Sequence, residues 1–275
     1  MEPSEVRRRL AGYSKSASTL AARQWRTMRT LDDWPKVATR LTMMVQATMV
    51  AAARFSAAEA TDALESDVTV VPGAWGRFAS DGRPLDSLLY SGVVHARSLY
   101  GSGRTDGQIM QAGLAWMQSV IATQVNDVAR SASGAVTTAT DGAGWIRYVN
   151  VPCCQRCAVL AGKWFKWNQG FSRHPPTCRC IHRPARRGNV PPGWTQQVED
   201  SQIRDLTEAQ RRALAEGADR TRVLNAYRNS NSTSERLAMH RSAERGGILT
   251  PEGIYARAKT REEAIELLHR YGFLL

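Results

Sequence analysis

The chain has 275 residues, 43% of them hydrophobic and 23% charged, with a formal net charge of +12. That composition suits a folded chain of one large domain, or two small ones plus a tail, and not a disordered polyelectrolyte. No run of about 18 apolar residues occurs, so no transmembrane helix and no membrane partner are expected. The start, Met1-Glu2-Pro3-Ser4-Glu5 and then Arg7-Arg8-Arg9, lacks the apolar stretch of a secretory signal. The protein is therefore expected to act in the cell that makes it, or in a particle built there.

Residues 4–30 are rich in Ala and Arg and predict a helix. Pro35 marks a second start, and 34–65 carries a longer helical pattern with Val37, Leu41, Met44, Thr48 and Ala52 on one core-facing stripe. Val68-Thr69-Val70-Val71-Pro72-Gly73 breaks it, and Asp81-Gly82-Arg83-Pro84 is a turn. A third helix is expected over 85–100, closed by Gly101-Ser102-Gly103. His95 within it reads as a packed or surface histidine. A fourth begins at Asp106 and runs to about Ser131, with Met110, Leu114, Met117, Ile121, Val125 and Val128 as its apolar stripe. Residues 1–141 thus read as a bundle of about four helices.

The texture changes at Gly142. Trp145-Ile146-Arg147-Tyr148-Val149 alternates like a strand. Lys163 to Trp167 is a second candidate, followed by the turn Asn168-Gln169-Gly170, and 179–183 a third. This β-rich insert, 142–190, is too short to bury a core of its own, and metal is one remedy for that. A linker with Pro191-Pro192 follows, and 191–275 reads as a polar helical tail. Capping boxes start at Thr207 and Thr260, a helix start is read at Thr250-Pro251-Glu252, residues 229–234 look flexible, and Gly272 ends the last helix. The tail is expected to dock on a partner rather than to form a core. The fold class is mainly α: a helical bundle, a small β-rich Cys/His module and a short helical tail.

Charge is unevenly placed. From Gly142 to Val198 there is no Asp or Glu, while nine basic residues contribute +9 of the +12: Arg147, Arg156, Lys163, Lys166, Arg173, Arg179, Arg183, Arg186 and Arg187. A concentrated basic field favours a polyanion, most simply nucleic acid, or an acidic protein surface. The bland reading is that some of these charges offset thiolates.

All five cysteines lie in the same window: Cys153, Cys154, Cys157, Cys178 and Cys180, with His174 and His182 beside them. The spacing Cys154-x2-Cys157 lets two thiolates converge on one ion, and Cys178-x-Cys180 can supply the second pair, with His174 or His182 as substitute. Structural zinc is the leading expectation. A disulfide pair is the first rival. A catalytic thiol is the second, though the acid-free window offers no carboxylate to orient a histidine base. Trp164, Phe165 and Trp167 are expected in the module's core, although they could stack on bases.

The run Val149-Asn150-Val151-Pro152-Cys153-Cys154-Gln155-Arg156-Cys157-Ala158-Val159-Leu160-Ala161-Gly162-Lys163-Trp164-Phe165, followed by Phe171-Ser172-Arg173-His174-Pro175-Pro176-Thr177-Cys178-Arg179-Cys180, resembles the MuF-like phage head morphogenesis family, minor capsid proteins of tailed phages. The likeness is nearest to versions from phages of actinobacteria, and Phe78 to Leu85, Leu249 to Glu252 and Arg261 to Ala264 extend it. The chain departs from the family pattern by one extra residue between His174 and Cys178, and by the doubled Cys153-Cys154. The resemblance implies a helical N-terminal region ahead of the Cys/His module. It also implies a low-copy structural and assembly protein of the procapsid interior or virion, made in the bacterial cytoplasm, with portal, scaffold or major capsid protein as partners and possible contact with packaged DNA. Two alternatives stand beside it: a capsid maturation protease, for which no Ser-His-Asp or paired-Asp constellation can be picked out, and a zinc-stabilised nucleic-acid-binding module.

Overall fold

In the computed structural model, residues 1–169, 180–191, 193–195, 197–218, 220–225, 253–254 and 257–275 are described. Helices α1 (Pro3–Trp25), α2 (Trp34–Leu64), α3 (Leu85–Arg97) and α4 (Asp106–Ala139) form the expected bundle. Pro3 opens α1, where its missing N–H costs nothing, and Val6, Leu10, Ala17, Ala21 and Trp25 are buried at helical spacing. A single 3-10 turn, Leu31–Asp33, links α1 to α2, with Thr30 and Asp33 capping each other. Asp33 takes Lys36 Nζ at 2.6 Å and the N–H groups of Arg29 and Thr30 at 2.8 and 3.2 Å. The Lys36 bond, then the two backbone donors, lower its carboxyl pKa to about 2.

Along α2 the buried stripe is Val37, Leu41, Val45, Met49 and Ala52. Met44 and Thr48, expected on it, are half-buried beside it. With 3.6 residues per turn, the core-facing row passes through 45 and 49 instead. Central to the bundle is α4, which packs against α1, α2 and α3. It continues eight residues beyond the expected end at Ser131. Its last turns are buried nearly all round, so they lack the one-sided stripe that marks an amphipathic helix. Their Ser, Gly and Thr content also reads as turn, yet Thr137 and Thr138 donate to the carbonyls four residues back at 2.9 and 2.8 Å, which satisfies the hydroxyls within the helix.

Close approach fixes where α3 crosses α4. A Cβ added at Gly113 would stand 2.7 Å from the Trp25 ring, 2.8 Å from the Ala96 methyl and 3.0 Å from the Gly92 carbonyl. His95 is stacked on Trp116, with ring centroids 4.5 Å apart, on the outer side of this pair.

Three strands follow: β1 (Ala143–Tyr148), β2 (Trp164–Lys166) and β3 (Ile181–Arg186), antiparallel in the order β2-β1-β3. Trp145 lies between Phe165 and Pro184 in register. Pro184 is tolerated because β3 is an edge strand, and that edge lies against α2 and α4. Gly144 leaves room for Trp164, since a Cβ there would come within 2.3 Å of that ring. The short helices α5 (Gln155–Leu160), α6 (Glu208–Ala215), α7 (Arg220–Asn225) and α8 (Arg261–Arg270), with 3-10 turns at Pro72–Gly76 and Asp200–Gln202, complete the described elements.

The described residues at the end of the tail pack into the bundle rather than standing apart from it. Ile254, Ala258, Ala264, Leu268, Phe273 and Leu274 are buried in the main helical core. Phe273 meets Trp75 at 4.9 Å, its carbonyl accepts from Val71 N–H at 3.1 Å, and Leu275 N–H donates to Thr69 at 3.3 Å. The polar composition hid this, because α8 needs only Ala264 and Leu268 to seat itself. Val198, Ile203, Leu206 and Leu224 belong to the core of the cysteine module. The module therefore borrows its missing apolar surface from the segment after residue 190. The expected turn Asn168-Gln169-Gly170 is seen as far as Gln169, whose N–H donates to the Lys166 carbonyl at 3.0 Å; Gly170, the flexible run 229–234 and the helix start at Pro251 lie outside the described residues. Among the described residues no helix is long and apolar enough to cross a membrane.

Two glycines on these helices respond oppositely to alanine. A Cβ at Gly12, on the exposed side of α1, meets nothing within 4 Å. Gly12→Ala raises the urea midpoint, by about 0.5–1 kcal/mol of stability from helix propensity. Gly113→Ala lowers it by about 1–3 kcal/mol through overpacking. Asp33 sets a dependence on acid. Its folded pKa lies below the ordinary 3.8, so its bonds stabilise the fold above that pH and are lost as pH falls towards about 2. The gap in urea midpoint between wild type and Asp33→Asn therefore closes over that window and is constant above it.

Candidate functional site

The cysteine site is assembled from both sides of residue 190. Cys153 N–H donates to the Gln202 carbonyl at 2.9 Å, and Arg204 N–H donates to the Cys153 carbonyl at 2.8 Å. Helix α5 starts at Gln155, and its N-cap residue, Cys154, makes no side-chain cap bond. Asp205 supplies the cap instead: its Oδ1 accepts from Gln155 N–H at 3.0 Å. The amides of Gln155 and Gln210 exchange two hydrogen bonds, at 3.0 and 2.8 Å. A segment that the sequence assigned to the tail thereby holds the first cysteines in place.

Cys153, Cys157 and Cys180 fall in one buried cluster, packed with Val149, Ala158, Val198 and Ile203, and Cys154 is half-buried at its border. Spacing favoured Cys154 as the first ligand; Cys153 is the deeper of the two, 2% exposed. Asn150 N–H donates to Cys180 Sγ at 3.4 Å. Arg147, fully enclosed on β1, donates to Cys157 Sγ at 3.8 Å. A guanidinium keeps its protons in a protein, so Arg147 is the donor in this contact and the sulfur the acceptor.

Arg147 also places Nη2 3.2 Å from His182 Nε2. A neutral imidazole protonated on Nδ1 accepts there. The His182 ring is stacked on Trp145 at 3.8 Å, and Trp145 on Phe165 at 4.7 Å. Trp164 donates its indole N–H to the Ala185 carbonyl at 2.9 Å. Trp145, Phe165 and His182 share one face of the sheet and Trp164, with Ile146, the other. Trp164, Phe165 and Trp167, all expected in the module's core, are half-buried, and Trp167 packs against the main helical core instead. The role of Arg147 was missed from sequence. Its position two residues from Trp145 on an alternating strand put it on the enclosed face, which is the one signal that could have shown it.

A second buried cation ties module to bundle. Arg130 on α4 donates to the Cys180 carbonyl at 3.2 Å and pairs with Asp127. Ser80 in turn donates to Asp127 Oδ2 at 3.2 Å.

The expected polyanion surface divides. Arg183 is 1% exposed; it faces Glu59 at 3.6 Å and lies 4.6 Å over the Trp194 ring. Burial pushes its guanidinium pKa down, and the charge of Glu59 pulls it back up. It is an internal ion-pair partner and not a surface contact, because β3 turns it towards α2. Arg186 reaches the carbonyls of Asp141 and, at 3.3 Å, Leu64. Arg156 is half-buried, whereas Lys163, Lys166 and Arg187 are exposed. Arg173, His174, Cys178 and Arg179 lie outside the described residues.

Among the described residues no three of His, Cys, Asp and Glu are placed to hold a metal ion. The donors present fit zinc in kind: thiols with a backbone N–H aimed at the Cys180 sulfur and a fixed guanidinium beside that of Cys157. No family model matches the chain, and no curated protein and no solved structure matches it.

The Arg130 clamp is testable. Asp127→Asn strands a buried guanidinium and lowers unfolding free energy by about 3–5 kcal/mol. Arg130→Met instead leaves the buried Asp127 carboxylate without its cation and costs a similar amount, while Asp127→Asn combined with Arg130→Met costs less than either. Arg130→Met also speeds labelling of the Cys180 thiol relative to wild type, because the Cys180 carbonyl loses its guanidinium donor. Unchanged labelling rates and urea midpoints would disprove the clamp.

Proposed function

We propose that this protein is a structural and assembly component of a tailed-phage head, a minor capsid protein acting with portal or procapsid, whose Cys/His module is pinned by a structural zinc ion. The reading rests on the resemblance of Val149 to Phe165 and Phe171 to Cys180 to the MuF-like pattern. One observation supports it: Cys180 shares a single buried cluster with Cys153 and Cys157, which precede it by more than twenty residues. Cys157, Cys180 and one of Cys153 or Cys154 would hold the ion, with Cys178 or His174 completing a set of four. Bound zinc would supply cross-linking alone, replacing apolar surface that the module lacks. The helical bundle, continuous with the module through Arg130, offers the scaffold by which such a part is carried on a larger assembly.

Elemental analysis of purified protein tests the site. About one zinc per chain is expected, lost in Cys157→Ser and Cys180→Ser, with chelator lowering the thermal midpoint. A metal-free protein whose melting ignores chelator would sink the zinc reading. The role is tested by co-expression with portal, scaffold and major capsid proteins and mass spectrometry of the purified heads. Retention at low copy supports it; absence from heads rejects it.

A further inference from the structure

We infer that the outward face of α1 is a binding surface for duplex DNA, with Arg8, Lys15, Arg23 and Arg26 on the phosphate backbone. Val6, Leu10, Ala17 and Ala21 point α1 into the core. At about 100° per residue, Arg8, Lys15, Arg23 and Arg26 fall together on the opposite side, along about 27 Å of helix. All four are exposed. From residue 6 through residue 31 the sequence contains seven basic residues and no acid. Glu5, just before this stretch, reaches Arg9 at 3.5 Å and Arg8 at 4.0 Å. Among the described residues no ion pair takes up Lys15, Arg23 or Arg26.

The side chains between these cations are small. Gly12, Ser16 and Thr19 are exposed on the same face, and a Cβ on Gly12 would meet nothing. A straight rod with protruding cations can therefore lie along a charged backbone without steric conflict. The face carries no apolar flank of the kind a helix needs to enter a membrane interface, because the apolar side of α1 is spent in the core. It also presents no amide or aromatic side chain for reading base edges. Repeated charge without pockets suits the phosphates of a duplex and predicts binding indifferent to sequence. The inference stands apart from the Cys/His module and from the head-assembly reading: it places the polyanion surface on the bundle, where the cations are solvated, rather than on the module, where Arg147 and Arg183 are enclosed.

The test uses the full-length chain and a fluorescent random-sequence duplex of about 30 base pairs, titrated at several salt concentrations. Four phosphate contacts make affinity fall about 100-fold between about 50 and 200 mM salt. The combined variant Arg8→Gln, Lys15→Gln, Arg23→Gln and Arg26→Gln keeps good helix formers, so its melting curve stays close to that of wild type. It is expected to lose at least about tenfold in affinity at low salt and most of the salt dependence. Arg8→Lys with Arg23→Lys and Arg26→Lys retains binding, and Lys163→Gln with Lys166→Gln and Arg187→Gln leaves it within about twofold. Wild-type affinity in the Gln variant, loss confined to the module variant, or salt-independent binding would each overturn the proposal. So would equal affinity for polyglutamate, or for phosphatidylserine vesicles, which would make the partner an acidic chain or a lipid surface instead.

Discussion

Three guanidinium groups are enclosed where the helices meet the sheet, and each needs a counter-charge or acceptors that the interior must supply. Arg130 has Asp127 and the Cys180 carbonyl, Arg183 has Glu59, and Arg147 has the Cys157 sulfur and His182. The Arg183–Glu59 pair joins β3 to α2, while Arg130, held by Asp127 on its own helix, reaches across to the Cys180 carbonyl, so both tie the sheet to the bundle by polar contacts as well as by packing. Since an arginine cannot shed its proton, these contacts hold only when β1, β3, α2 and α4 are in register together. The seam is a condition of the fold.

Much of the bundle was legible. Val37, Leu41 and Ala52, and the stripe from Leu114 to Val128, follow helical periodicity, and the same residues are buried. Three features were not. The end of α4 is buried on all sides, so periodicity gives no signal, and its Thr and Gly content points towards a turn. Helix α8 and the last residues look polar because few side chains suffice to seat them. The cysteine site was legible as a cluster but not as an architecture. Nothing in Cys153 to Cys157 announces that its cap comes from Asp205, or its amide partner from Gln210, some fifty residues on. Long-range pairing of this kind leaves no local trace.

Charge counting misled in an instructive way. The window from Gly142 to Val198 carries most of the net charge, yet β1 and β3 use Arg147 and Arg183 as structural cations. Residues 1–60 hold ten bases against five acids, and much of that excess stands on the exposed side of α1. Net charge per segment says how much positive potential a chain has, while burial decides where that potential acts.

The enclosed position of Arg147 bears on why the module should want an ion at all. A buried cation beside a sulfur stabilises one thiolate, but several thiolates gathered in one apolar cluster repel each other and lose their hydration. One guanidinium cannot neutralise them all. As thiols, the same sulfurs serve as small apolar groups within the layer of Val149, Val198 and Ile203. A divalent cation, if bound as proposed, would offset the charge of the sulfurs that hold it. Arg147 also engages Nε2 of His182, at 3.2 Å. The cation that looked like part of a nucleic-acid surface is thus an internal partner of a sulfur and an imidazole.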